Sequence, residues 1–225
     1  MELFFFDIET VGNYKNYQEF ETLDYKGSSL FQKKYEKMKW NETQTIDEAY
    51  INNSGIISTY GKIVCISFGY IKNDGSYFIS SIYGDDEKEI VQKFNNLLLK
   101  VEKKNFSLSG FRIQNFDIPW VLHKLHKYDI IPANILYTYD KKPWEMRVVD
   151  IANDWKQMFN IASTFDEVCY ELGVESPKSE TQGSNINELY YNGDMESIVK
   201  YCEKDVKSSI DVTKKIYKHI EFYEK

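Results

Sequence analysis

The chain has 225 residues, of which 42% are hydrophobic and 28% charged. That is globular composition, long enough for a core without disulfide staples, and it excludes disorder of the whole chain. Its 28 basic and 35 acidic residues leave a net charge of −7, which excludes coating nucleic acid through the overall field, so any such role needs a local site with its own cations.

Arginine occurs only at Arg112 and Arg147, so bidentate clamps on phosphate are scarce. Cys65, Cys169 and Cys202 have no CxxC spacing, which argues against a disulfide framework and a zinc site. A reducing compartment, the cytoplasm, is the expected location. The start MELFFFDIET lacks the charge and length pattern of a signal peptide, and no apolar run is long enough to span a membrane.

Leu3 to Ile8 is an aromatic and β-branched run that predicts a buried strand, ended by Gly12. Residues from about 13 to 60 are polar and Tyr-rich. Ser29 to Trp40 has helical character, and Thr45 with Glu48 forms a capping-box pattern. The stretch is expected to be an excursion between two strands, too polar for a core of its own. Lys62 to Ile71 and Ser76 to Tyr83 read as a hairpin around Asn73-Asp74-Gly75. Asp85 or Asp86 caps a helix with Ile90, Val91, Phe94, Leu97, Leu98 and Val101 on one face.

Phe106 to Ser109 predicts a short strand, Asp117 to Tyr128 a helix with Pro119 in its first turn, and Met146 to Ile151 another strand. Thr164 and Glu167 open a helix that stops at Gly173. Asp194 starts a long amphipathic helix through Ile198, Val199, Cys202, Val206, Ile210, Ile216 and Ile220. Three antiparallel strands followed by strand and helix alternation predict an α/β or α+β layered architecture, α/β ahead, as a single domain over residues 1–225.

Three sets of acids stand out. Asp7 and Glu9 are two apart on a strand, so both project from one face; the plain alternative is that they lie in solvent past the strand's end. Asp117 opens a helix, where Asp is commonly only a cap. Tyr201 and Asp205 are four apart on the last helix and share a face beside its apolar stripe. His123 and His126 lack a nearby carboxylate or Cys to complete a metal site, and Asp150 and Asp154 read as caps, with support of the site's acids from behind as the alternative.

In this order the three sets resemble the motifs of the DEDD superfamily of DnaQ-like 3′–5′ exonucleases. Asp7-Ile8-Glu9-Thr10 matches D-x-E, Asn115-Phe116-Asp117 matches the second motif, and Tyr201-Cys202-Glu203-Lys204-Asp205 matches Y-x-x-x-D of the Tyr branch, DEDDy. Lys200 stands where the His branch has its histidine. Residues 61–67 and the stretch Ser176 to Ser184 are similar to stand-alone bacterial exonucleases related to the proofreading domain of family B DNA polymerases. One departure is Phe111-Arg112, where many relatives carry His-Asn after the glycine.

The resemblance implies an RNase H-like fold, a mixed five-stranded sheet flanked by helices. It implies a phosphodiester hydrolase, with DNA repair as its expected setting and any proofreading done in trans, acting on the 3′ end of single-stranded nucleic acid, DNA ahead of RNA. Asp7, Glu9, Asp117 and Asp205 would hold two divalent cations, Mg²⁺ or Mn²⁺, and Tyr201 would orient the attacking water. Thr10 and Phe116 would face the terminal nucleotide. Lysines at 33, 34, 37 and 39, or at 100, 103 and 104, could meet a strand, although each set also reads as a solvated helix face. The rival expectation is an inactive RNase H-like binding or adaptor module that uses the 13–60 excursion to hold a partner, with Arg112 perturbing the site.

Overall fold

The computed structural model describes residues 2–72, 74–139, 141–142, 145–177 and 186–217. In chain order it has β1 (Leu3–Gly12), α1 (Tyr17–Leu23), α2 (Tyr25–Lys37), α3 (Ile46–Asn53), β2 (Gly61–Ile71), β3 (Tyr77–Tyr83), α4 (Glu87–Lys103) and β4 (Ser107–Gly110). These are followed by α5 (Asp117–Lys127), β5 (Val148–Asp150), α6 (Ile151–Phe159), α7 (Phe165–Leu172), α8 (Ile186–Tyr191) and α9 (Met195–Ile216). Asn73, Ile220 and most of the stretch from Ser176 to Ser184 lie outside the described residues.

The strands form one mixed sheet in the order β3-β2-β1-β4-β5. β1 pairs antiparallel with β2 and parallel with β4, so it is central. The sheet is flanked by helices on both faces, and this explains the unbroken apolar run in β1. Phe4, Phe6 and Ile8 pack with Ile90, Phe94 and Leu98 of α4 and Ile118 and Val121 of α5. Phe5, on the other face, packs with Val206 and Ile210 of α9. Each buried Phe contributes about 1.5–3 kcal/mol by leaving water.

Between Glu9 and Thr10 the register with β2 slips. Glu9 pairs with Cys65, but Thr10 pairs with Ile63, so Val64 is the extra residue of a bulge. Val64 and Cys65 can then both pack with Val11, Ile198 and Cys202. β1 thus reaches Gly12, well beyond Ile8.

The excursion does have a core, contrary to expectation. Tyr17, Phe20, Phe31, Tyr50 and Tyr60 form a buried aromatic cluster under α1 to α3. Tyrosine misled the polarity reading, because a Tyr ring buries like Phe when its hydroxyl finds a partner. Here the Tyr50 hydroxyl accepts from Tyr14 N at 3.0 Å, and the Tyr35 hydroxyl donates to Gln44 O at 2.7 Å. Asp24 caps α2, accepting from Gly27 N at 2.9 Å, so this helix starts before Ser29 and ends at Lys37. β5 is shorter than expected because Asp150 caps α6 and turns the chain out of the sheet. The caps at Thr45, Asp86, Thr164, Gly173 and Asp194 form as expected. Among the described residues no helix is long and apolar enough to cross a membrane.

A buried ion pair fastens the excursion's return to the sheet. Lys124 on α5 is 1% exposed and lies 3.1 Å from the Glu87 carboxylate. Its ammonium also donates to Ser58 O at 2.8 Å and to Gly61 O. Burial opposes the Glu87 charge, yet Lys124, Lys127 and Tyr128 hold its carboxyl below the usual range. Burial also lowers Lys124 to about 8. Lys124→Met leaves Glu87 buried without this partner and should destabilise the protein by about 3–5 kcal/mol, read from urea unfolding. A loss under about 1 kcal/mol, the value typical of an exposed pair, would contradict this account.

Candidate active site

Asp7 and Glu9 sit inside β1, on the face that meets α9, and not in solvent past its end. Glu9 is 9% exposed and Asp7 is half-buried. α9 turns Tyr201, Cys202 and Asp205 toward the same spot. Tyr201 is buried and Asp205 half-buried. The Cys202 thiol donates to the Asp7 backbone carbonyl at 3.4 Å and to its carboxylate at 3.5 Å. One ligand atom each of Asp7, Glu9 and Cys202 lies within 4.8 Å of the others. Cys202 reads as core from the sequence, and only its place beside Tyr201 in Y-x-x-x-D signals that it faces the acids.

Asp117 arrives from the other side of β1. It is 2% exposed and is not the cap of α5; Phe116 holds that position without a side-chain bond. β1 pairs with β4 only from Leu3 to Phe5, since β4 turns away at Gly110. The Ile8 N–H therefore has no strand partner on that side, and the Asp117 carboxylate accepts it at 3.1 Å. Gly110 is required at the turn, because a Cβ there would lie 2.8 Å from Phe6 O and crowd Ile113.

Asp150 does more than cap α6. One carboxylate oxygen accepts from Arg112 N at 3.2 Å as well as from Ala152 N and Asn153 N, and the other accepts from Gln114 N at 3.0 Å. It thus fastens the loop that delivers Asp117. Position 112 has a left-handed backbone, φ 61°, which Asn adopts more readily than Arg. The Arg112 guanidinium lies over the Phe111 ring at 5.5 Å and donates to Ser163 O at 3.3 Å.

The acids strain one another. Burial, then Asp205, Asp117 and Glu9, raises the Asp7 carboxyl well above its usual range. Burial, then Asp205, Cys65 and Asp117, does the same to Glu9. Burial lifts Asp117 to about 7 against the hydrogen bond from Ile8, with Asp150 and Asp205 adding to the rise. Burial and the charges of Asp205, Glu9 and Asp7 push the Tyr201 hydroxyl above its normal range, so it keeps its proton.

The structure therefore gathers ligand atoms of Asp7, Glu9 and Cys202 in one tight set, which does not include Asp117 or Asp205; those two acids and Tyr201 are near enough to interact electrostatically with Asp7 and Glu9. Carboxylate oxygens this concentrated, helped by the neutral donors Cys202 and Ile8 N, suit hard divalent cations. Thr10 follows Glu9 on β1, so its side chain leaves the strand on the other face, where its hydroxyl donates to Gly55 O at 2.5 Å. The half-buried Phe116 ring leans on Trp120 at 5.8 Å. His123 and His126 are not part of the group that could hold a metal.

The pH dependence follows in sign. A carboxyl with a raised pKa binds protons more tightly in the folded chain than in the unfolded one. Its stabilisation is complete below the unfolded value near 3.8 and is lost as pH rises through about 7. In EDTA the melting temperature should fall from pH 5 to pH 8, and Mg²⁺ or Mn²⁺ should raise it more at pH 8. Thermal unfolding across that range measures both effects, and a flat metal-free profile would contradict the burial and mutual repulsion of these acids.

Comparison with known proteins bears on this arrangement. The family described as predicted 3′–5′ exonuclease related to the exonuclease domain of PolB matches residues 56–212. That range includes Asp117, Tyr201 and Asp205, whereas Asp7 and Glu9 precede it. The fold is similar to the structure of the family B DNA polymerase from the hyperthermophilic archaeon Pyrobaculum calidifontis, with a TM-score of 0.57 and 16% identity over 96% of this chain. The chain spans about a quarter of that polymerase's length, 24% of it being covered. No curated protein matches. The mixed sheet and its flanking helices are those of an RNase H-like exonuclease domain, and the chain belongs to the family of predicted 3′–5′ exonucleases related to the exonuclease domain of PolB.

Proposed function

We propose that the chain is a divalent-metal-dependent 3′–5′ exonuclease of the DEDDy type, acting on the 3′ end of single-stranded nucleic acid, DNA ahead of RNA. The observation that carries the reading is the convergence of β1, α5 and α9 on one acidic spot beside a protonated tyrosine. Residues 1–225 would act as one domain with an insertion at 13–60. The three free, buried thiols fit a reducing compartment such as the cytoplasm.

Asp7, Glu9, Asp117 and Asp205 would hold two divalent cations, Mg²⁺ or Mn²⁺. When bound, such cations polarise the phosphoryl group and lower the pKa of water. The remaining work belongs to this chain's own groups. The Cys202 thiol steadies one Asp7 oxygen. Asp117 braces the strand at Ile8 while Asp150 braces the loop behind it. Tyr201 keeps its proton at neutral pH, so its role is to orient the nucleophile rather than to remove a proton. Thr10 and the Ile8 backbone would flank the terminal nucleotide, with Phe116 offering part of a ring to its base. Arg112, the residue that favours the adaptor reading, directs its guanidinium to Ser163.

The test is a time course on 5′-labelled and 3′-labelled single strands of DNA and RNA, with Mg²⁺, with Mn²⁺ and with EDTA. A metal-dependent ladder shortening from the 3′ end is expected. Asp7→Asn should lower the rate at least about a thousandfold, equivalent to roughly 4 kcal/mol of transition-state stabilisation. Tyr201→Phe should slow turnover about a hundredfold by misplacing the nucleophile, with no change in the pH profile's shape. Cleavage by Asp7→Asn at the parent rate would overturn the assignment.

A further inference from the structure

One helix of the excursion concentrates lysines. Between residues 25 and 39, Lys26, Lys33, Lys34, Lys37 and Lys39 face one acid, Glu36, a local charge of +4 in a chain of −7. Lys26, Leu30, Lys33 and Lys37 recur at spacings of four, three and four, so they line one face of α2. Phe31, on the opposite side, is buried in the aromatic cluster. The stripe is exposed, with Tyr25 at 77% and Leu30 at 50% standing among the lysines. Glu36 is engaged by Gln32 at 3.2 Å.

The position of this stripe matters as much as its charge. The excursion leaves β1 at Gly12, past Asp7 and Glu9, and is held to that end by the Thr10 bond to Gly55 O and the Asn13 N bond to Tyr60 O at 2.9 Å. The other lysine set, Lys100, Lys103 and Lys104, lies at the end of α4 just before β4, whose Ser107 pairs with Leu3. That is the opposite end of β1, about 20 Å from Glu9 at 3.3 Å per residue. Of these two sets, the excursion's is therefore on the side of β1 nearer the acids, while Lys200, Lys204 and Lys207 of α9 line a pocket with Tyr201.

We propose that the exposed face of α2 docks the phosphate backbone of a single-stranded nucleic acid upstream of its 3′ end. Lys26, Lys33 and Lys37 would neutralise phosphates, and Tyr25 would offer a ring for a base to stack on. The proposal rests on the exonuclease reading. It also explains how a chain of net charge −7 engages a polyanion: attraction is separated from the acidic site by a helical insertion.

The experiment measures binding of a fluorescent 30-nucleotide single-stranded DNA in EDTA, where cleavage is stopped, across a salt series. The full chain is compared with K26E/K33E/K37E, with the milder K26Q/K33Q/K37Q, and with K100E/K103E/K104E as a control. The slope of log affinity against log salt should become shallower by about 2 in K26E/K33E/K37E, near 0.7 for each lost phosphate contact. The glutamine variant should fall between this and the parent, the control should match the parent, and Tyr25→Ala should weaken binding at every salt concentration. Parent-like slopes in both α2 variants would overturn the proposal and leave the stripe to an acidic protein surface or to solvent. So would an equal loss in the control. Parent trimming of labelled strands, run in parallel, separates this failure from failure of the exonuclease reading.

Discussion

The central constraint is that two carboxylates interrupt a strand buried on both sides. A charge in such a place is costly unless hydrogen bonds or counter-ions compensate it. Phe4, Phe5 and Phe6 anchor β1 on both faces just before Asp7, so the strand cannot rotate its acids into solvent without exposing three rings. Apolar burial thus holds the carboxylates where they repel one another. The strain this stores is electrostatic, and a divalent cation is the natural group to relieve it.

The means of assembling the site lie in backbone irregularities around that strand. The bulge at Val64 lets β2 follow β1 to Gly12 while supplying Cys65 beside Glu9. β4 stops pairing early, and the N–H it leaves at Ile8 is what Asp117 satisfies. Asp150 then fixes the connecting loop through two backbone donors. Where the ladder with β4 ends, a carboxylate takes the place of the missing strand partner. A longer β4 would give Ile8 a strand partner and leave Asp117 without its tie.

Much of this was legible in the residues. The order of Asp7, Glu9, Asp117, Tyr201 and Asp205 located the candidate site, and hydrophobic periodicity found the sheet and the helices that carry it. Three things were hidden for identifiable reasons. The excursion's core was missed because its apolar surface lies in tyrosine rings, which a polarity scale counts against burial. Asp117 looked like a cap because an acid at a helix start has the same local signature whether it bonds its own turn or a distant strand. Asp150 had the same ambiguity in reverse, since it is a cap and also a brace. Those bonds join residues far apart in the chain, so local spacing cannot distinguish them.

Cys202 shows why neutral donors suit this site. Its thiol reaches the Asp7 carbonyl and carboxylate from α9, and burial, with Cys65 and the nearby acids, keeps it protonated. It can therefore hold an Asp7 oxygen without adding charge. A lysine there would pair with Asp7 and compete with any cation for the same oxygens. Among the described residues the buried lysine, Lys124, is committed to Glu87 and to the carbonyls of Ser58 and Gly61. Cations thus serve structure on the α5 face and are exposed on α2, whereas the groups that raise Asp7 and Glu9 are acids and a thiol. The same division leaves the Asp7 carboxylate with a neutral donor, while the lysines of α2 stand exposed on the excursion.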